Sequence, residues 1–173
     1  MDRTLVERAR DGDRDAFEAL MKDRIDRVYR LSLAIVANEA DARDATQEAF
    51  VAAWRQLPRL RDADRFEAWL SRLVVNSARM ALRARRRRGV REIPAHEVLS
   101  GLGAHDPSID DGVRLAAALG RLAPDQRAIL ALHHLEDRSI AEIASLLDIP
   151  QGTVKSRLFT ARQALVRALG DAS

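Results

Sequence analysis

The stretch Ser139 to Leu165, SIAEIASLLDIPQGTVKSRLFTARQAL, reads as two helices around a tight turn, the second of them basic. Ser139 followed three residues later by Glu142 is a capping box, in which hydroxyl and carboxylate each satisfy a backbone N–H that the first helical turn leaves orphaned. Ile140, Ile143, Ala144 and Leu147 then recur at the spacing of one buried helix face, until Asp148-Ile149-Pro150 breaks the pattern. Val154, Leu158, Ala161 and Leu165 give the second helix its own apolar stripe, with Gly152, Lys155, Ser156 and Phe159 on the opposite side. No acidic residue occurs from Gln151 to Gly170, whereas Lys155, Arg157, Arg162 and Arg167 are cationic. A solvated helix normally mixes both signs. An acid-free one suits phosphate contact, and a helix-turn-helix lays such a face in a major groove. An ordinary antiparallel helix pair is the alternative this pattern leaves open.

Composition narrows the rest. Many aliphatic and few aromatic side chains fit an all-α chain, and 173 residues allow two small helical domains. Without cysteine there are no disulfides and no thiolate metal sites, and His133 and His134, being adjacent, diverge on a helix rather than converge on a metal. The charged N-terminus is no signal peptide and no apolar run spans a bilayer, so a cytoplasmic protein without membrane insertion is expected. No glycine-rich phosphate loop and no nucleophile with a base is found, so neither catalytic residues nor a cofactor are expected, and the chain reads as a non-enzyme. The net charge of +3 is unevenly placed: residues 1–82 are balanced, residues 83–91 hold six arginines and no acid, and residues 92–173 are net acidic. Such alternation suggests partners of different charge.

Taken in order, a short helix over Thr4–Arg10 precedes a long one from Arg14 to Asn38, whose stripe is Phe17, Leu20, Met21, Ile25, Val28, Leu31 and Ile35. Asp41 reads as the N-cap of the next helix, which ends at Pro58. Its expected apolar side carries Phe50, Trp54 and Leu57, while Asp44, Gln47, Glu48, Val51 and Arg55 share a side that need not be buried. After the polar turn PRLRDADR, with Asp64 as expected cap, a helix runs to about Arg87 with Phe66, Trp69, Leu70, Leu73, Ser77, Met80 and Ala81 inward. Opposite them Arg72, Asn76, Arg79, Arg83 and Arg86 recur at steps of 4, 3, 4 and 3, a cationic stripe containing one amide. In-register arginines match spaced phosphates, and an amide can hydrogen-bond a base edge. Gly89 to Gly112, with four glycines, two prolines and five acids against one arginine, reads as a flexible acidic linker. Helices resume at Val113, with Leu115, Ala118, Leu119 and Leu122, then Ile129, Leu130, Leu132 and Leu135, as core and Pro124 at a helix start.

The segments DARDATQEAFVAAW (Asp41–Trp54), RFEAWLSRLVVNSARMALRARRRR (Arg65–Arg88) and LDIPQGTVKSRLFTARQAL (Leu147–Leu165) together resemble a bacterial extracytoplasmic-function sigma factor. The resemblance covers nearly the whole chain and implies a region 2-like domain over 1–88, a linker over 89–112 and a region 4-like helix-turn-helix domain over 113–173. It implies a subunit that binds core RNA polymerase, recognises promoter DNA at two elements and is held by a cognate anti-sigma factor. Asp44, Gln47, Glu48, Val51 and Arg55 would dock on polymerase. Arg61, Asp62, Arg65, Arg72, Asn76, Arg79 and Arg83 would read the minus-ten element, including a flipped base. Gly152, Thr153, Lys155, Ser156, Arg157, Phe159 and Arg162 would read the minus-thirty-five element. Asp148 stands where the family often has glycine, and Thr160 where an arginine is common. Ala45, Thr46 and Ala49 replace bulkier aliphatics. A stand-alone helix-turn-helix regulator is the competing reading.

Overall fold

The computed structural model describes residues 3–88 and 107–170, and among these it is helical throughout, with no strand. The helices are α1 (Arg3–Arg10), α2 (Arg14–Val36), α3 (Glu39–Gln56), α4 (Phe66–Arg87), α5 (Pro107–Gly120), α6 (Pro124–His134), α7 (Ile140–Leu147) and α8 (Gln151–Gly170). Two short 3-10 turns, Leu57–Arg59 and Ala63–Arg65, join α3 to α4. Of the expected linker, residues 89–106 lie outside the described residues, and α5 begins at Pro107, inside the segment read as linker.

In the N-terminal half, α2, α3 and α4 pack pairwise and α1 closes one end on α2. Asp13 caps α2 by accepting the Ala16 N–H at 3.0 Å. The helix stops at Val36 because Ala37 turns left-handed (φ 53°, ψ 36°) and returns its N–H to Leu33 O. Asn38, expected to end α2, instead caps α3 by accepting the Asp41 N–H at 3.0 Å. Asp41, expected as that cap, lies inside the helix, where its carboxylate meets the Arg85 guanidinium at 3.0 Å in a buried pair joining α3 to the end of α4. The expected cap Asp64 is likewise displaced: Asp62 accepts the Asp64 N–H and starts the 3-10 turn, and α4 follows without a side-chain cap.

The buried face of α3 differs from the expected one. Ala42, Ala45, Ala49 and Ala53 are buried, with Leu57, while Trp54 is 42% exposed and Phe50 only half-buried. A helix wedged between two others needs small side chains inward, so the alanines win over the aromatics. Ile25 on α2 and Met80 on α4, both read as core, are 49% and 65% exposed. Met80 falls just past one edge of an inward arc that extends the other way to Val74, Val75, Ala78 and Leu82, because α4 is also covered by α7.

The C-terminal half builds its core from Ala118, Leu122, Ala128, Ile129, Leu132, Ile143, Leu146, Val154, Leu158 and Ala161. Leu115 and Leu135, expected there, are exposed. The capping box is present in full: Ser139 Oγ accepts the Glu142 N–H at 3.2 Å, and Glu142 Oε2 accepts the Ser139 N–H at 2.9 Å. Asp148 adopts the left-handed conformation (φ 56°, ψ 51°) that lets the chain turn into α8, at the modest cost aspartate incurs there.

The two halves are not apart. α6 packs on α2 and α7 on α4. Arg127, 3% exposed, donates from Nε to Ile35 O at 2.7 Å and from Nη1 to Leu122 O at 2.8 Å and Gly120 O at 3.2 Å, so one guanidinium serves carbonyls at the ends of α2 and α5. Glu136, in the turn between α6 and α7, has a side chain only 2% exposed and accepts from Arg27 Nε at 2.7 Å. Ser71 Oγ lies 3.0 Å from its other oxygen, and Arg27 also pairs with Glu67. Burial alone would raise the Glu136 carboxyl, but the Arg27 hydrogen bond and charge, with Ser71 and Arg138, outweigh it and hold the group below its ordinary range.

Ser139→Ala removes one half of the capping box and is expected to cost about 1 kcal/mol, read as a lowered denaturant midpoint. Hydrogen bonds from the Ser139 backbone and hydroxyl and from Arg138 hold Glu142 below its usual value, so its capping contribution is complete above the ordinary carboxylate range and fades as pH falls through the lowered value. The Ser139→Ala difference should therefore shrink in acid.

Candidate nucleic-acid interface

Three exposed surfaces carry the residues singled out by sequence. The first is the outer face of α8. Val154, Leu158 and Ala161 anchor the helix, which leaves Gly152, Lys155, Ser156, Arg157 and Arg162 exposed, Thr153 half-buried and Phe159 64% exposed. A large apolar side chain standing free among cations is costly to hydrate, and it suits contact with a thymine methyl or a base edge. Pro150 precedes the helix and its carbonyl accepts the Thr153 and Val154 N–H groups, which leaves the first-turn N–H groups of Gln151 and Gly152 without an intrahelical acceptor, as an anion would need. A Cβ at Gly152 would meet nothing within 4 Å. Ser156 and Thr160 return their hydroxyls to carbonyls one turn back, Thr153 O and Ser156 O. Arg162 Nη2 lies 3.5 Å from His134 Nε2. Burial pushes the His134 imidazole below its ordinary value, with the charges of His133 and Arg162 acting the same way and that of Asp137 opposing them.

The second surface combines the turn 58–65 with one side of α4. Arg61, Asp62 and Arg65 are exposed, Arg65 Nε lying 3.6 Å from Asp62 Oδ2. Arg72, Asn76, Arg83 and Arg86 are exposed along α4, diametrically opposite its buried arc, over a helix of 22 residues or about 33 Å. Arg79 completes the row but is not free: its Nη2 meets Asp125 Oδ1 of α6 at 3.1 Å. The stripe that no acid interrupts in sequence is interrupted in space, by the other half of the molecule.

The third surface is the outward side of α3. Asp44, Gln47, Glu48 and Arg55 are exposed and Val51 half-buried, as expected. Sequence reading missed what lies beside them. Phe17, Ile25, Tyr29, Phe50 and Trp54 line an apolar groove between α2 and α3 whose rim includes Gln47, Val51 and Arg55. Phe17 and Trp54 meet edge to face at 4.9 Å, with the Arg14 guanidinium 6.0 Å from the Trp54 ring. Four of the chain's seven aromatic residues thus gather at one groove, a concentration visible in sequence only once their shared side is known. On the opposite flank Asp44, Gln47 and Glu48 border a second groove with Met80 and Arg87.

Among the described residues no group of histidine, aspartate and glutamate side chains could hold a metal ion, and no helix is long and apolar enough to cross a membrane.

The Sigma-70 region 2 family matches residues 20–88, and the Sigma-70, region 4 family matches residues 112–165. The chain is 33% identical to the RNA polymerase sigma-H factor of Pseudomonas aeruginosa over 97% of its own length and 93% of that protein's. It is 35% identical to the ECF RNA polymerase sigma-E factor of Escherichia coli K12, over 95% and 92% respectively. Among solved structures it is similar to CnrH in complex with the cytosolic domain of CnrY, with a TM-score of 0.73 and 26% identity over 99% of both chains. The fold is also that of the sigma factor RpoE in complex with the anti-sigma factor NepR from Bartonella quintana, with a TM-score of 0.69 and 22% identity over 89% of this chain and 96% of that one.

Proposed function

Because the chain belongs to the extracytoplasmic-function sigma factors of bacterial RNA polymerase, we propose a division of its initiation function among the three surfaces. It binds core polymerase and directs initiation at specific promoters. The observation that carries this is the match to regions 2 and 4, in that order, within relatives it covers almost end to end. The competing stand-alone regulator leaves the region 2 match over 20–88 without a purpose.

The outward side of α3 is the polymerase surface. Exposed carboxylates at Asp44 and Glu48 supply charge complementarity and orientation, and the neighbouring aromatic groove supplies apolar area, the combination that makes an interface both steered and strong. The turn 58–65 with Arg72, Asn76, Arg79 and Arg83 is the minus-ten reader. Its arginines hold strand phosphates while Asn76, with a donor and an acceptor on one amide, reads a base edge. Gly152, Thr153, Lys155, Ser156, Arg157, Phe159 and Arg162 form the minus-thirty-five reader, with Lys155 and Phe159 toward bases and Arg157 and Arg162 toward phosphates. The protein performs no chemistry itself and works in the cytoplasm, where its polymerase is. CnrH and RpoE were each solved with a protein bound, in the second case an anti-sigma factor, and an inhibitor of that kind is assigned here on the same ground.

Run-off transcription with purified core polymerase tests the function: initiation from a discrete set of promoters is expected only when the protein is added, and no initiation from any promoter would reject it. Replacing Asp44 and Glu48 together by alanine is expected to weaken core binding at least about tenfold with the helical circular dichroism unchanged, as loss of an interfacial charge pair does. Lys155→Ala should cost the holoenzyme roughly 1–3 kcal/mol at its promoter if it reads a base, together with relaxed preference at one minus-thirty-five position. Asn76→Ala should alter the minus-ten preference profile selected from random DNA, leaving the minus-thirty-five profile as it was.

A further inference from the structure

We propose that Lys155 is a modification site, and that acylation of its side-chain amine by an anionic activated acyl donor turns off minus-thirty-five reading. The modification follows from the charges around the lysine. Its effect on initiation rests on the sigma-factor reading above.

Of the 29 basic side chains only two are lysines, Lys22 and Lys155, and the rest are arginines. Every other cation of α8 is an arginine, so an ammonium stands at one place on the face proposed to enter the major groove. The difference is chemical. A guanidinium stays protonated and is a poor nucleophile, whereas the lysine amine attacks acyl carbon once it gives up a proton. Lys155 is exposed and forms no hydrogen bond or ion pair among the described residues, so no contact has to break before it reacts.

The two lysines sit in opposite fields. On α2, Glu18 and Asp26 lie one turn before and one turn after Lys22, both exposed and neither ion-paired among the described residues. Asp23 is adjacent but shares its charge with Arg24 at 3.0 Å. On α8, Lys155 has Arg157 and Arg162 on the same helix and no acid from Gln151 to Gly170, the nearest in sequence being Asp148 in the preceding turn. Acyl phosphates and coenzyme A thioesters carry negative charge, so the field gathers them at Lys155 and repels them at Lys22.

In the reaction the Lys155 nitrogen, having given one proton to solvent, attacks the acyl carbonyl carbon. A C–N bond forms, and the C–O bond to phosphate or the C–S bond of a thioester breaks. The phosphate or thiolate leaves with the electron pair, and the nitrogen loses a second proton to become a neutral amide. Three donors and a positive charge are thereby replaced by one N–H and none. Arg157 and Arg162 keep their hold on phosphates, and the α3 surface is untouched. The acylated protein thus still docks on polymerase while its base contact is lost, which ties promoter choice to the supply of activated acyl groups.

Full-length protein is incubated with acetyl phosphate and, separately, with acetyl coenzyme A, and acetylation is followed at each lysine by peptide mass spectrometry. Lys155 is expected to react at least about fivefold faster than Lys22 with one donor or both, the donor that succeeds identifying the source, and the preference should fall toward parity at about 1 M salt, where the screening length is about 3 Å. Equal rates with both donors, or a faster Lys22, overturn the site, and a preference that salt leaves unchanged overturns its electrostatic cause. The consequence is read with full-length protein carrying Nε-acetyllysine in place of Lys155. It should bind core polymerase as the unmodified protein does and initiate at least about fivefold less in run-off transcription at limiting promoter. Equal initiation overturns the regulatory effect and leaves the sigma reading standing. Unmodified protein that initiates nowhere rejects the sigma reading and the regulatory effect with it, whereas the acylation preference stands or falls on its own rates.

Discussion

The placement of the second half on the first depends on how Arg127 is satisfied. A guanidinium brought out of water has five N–H groups to pair, and three of its contacts here are backbone carbonyls that no helix could otherwise use. Because Ile35 lies in the last turn of α2 and Gly120 closes α5, the single planar group fixes the end of one helix against the end of another. Lysine could not do this, since one ammonium cannot fork toward carbonyls that lie in different directions. Once α6 is seated there, Asp125 falls opposite Arg79 and the turn carrying Glu136 falls over Arg27 and Ser71. The charged contacts between the halves follow from the seat that Arg127 defines.

A complementary constraint governs α3. Wedged between α2 and α4, it buries alanines at 42, 45, 49 and 53, and the absence of bulk lets the backbones approach. Large side chains on α3 are thereby pushed to its flanks. Trp54 and Phe50 end up lining an open groove rather than the core, beside the carboxylates of the outward side. The packing requirement of the domain and the apolar character of its outer surface therefore have one cause.

What could be read from sequence was what is decided within a few residues. The capping box at Ser139 and Glu142, the turn at Asp148 and the opposition of Arg72, Asn76, Arg83 and Arg86 to the α4 core all depend on spacings of three and four, and all are present. The outer faces of α8 and α3 were legible for the same reason, whereas the buried face of α3 was not. Errors arose where two local solutions were nearly equal. Asn38 and Asp41 can both cap a helix, and the left-handed Ala37 decided for Asn38. Ile25, Trp54, Met80 and Leu135 sit at helical spacing from true core residues, yet periodicity alone does not say how wide an arc the neighbours cover. The contacts between the halves left no local trace, because the partners of Glu136 and Arg127 lie 109 and 92 residues away.

Gly152 invites a different accounting. Nothing in the free protein occupies the space its side chain would fill, and its backbone is plainly helical, so the fold makes no demand for glycine there. Glycine in a helix is the less stable choice, by up to about 1 kcal/mol against alanine in an interior position. The chain therefore forgoes stability at this position that a methyl group would supply. A deficit of that kind, at the lip of an exposed cationic helix, is the trade-off expected where selection acts on a bound state rather than on the free one. On the proposed reading of α8 as the minus-thirty-five reader, the missing Cβ leaves room for a phosphate to approach the backbone.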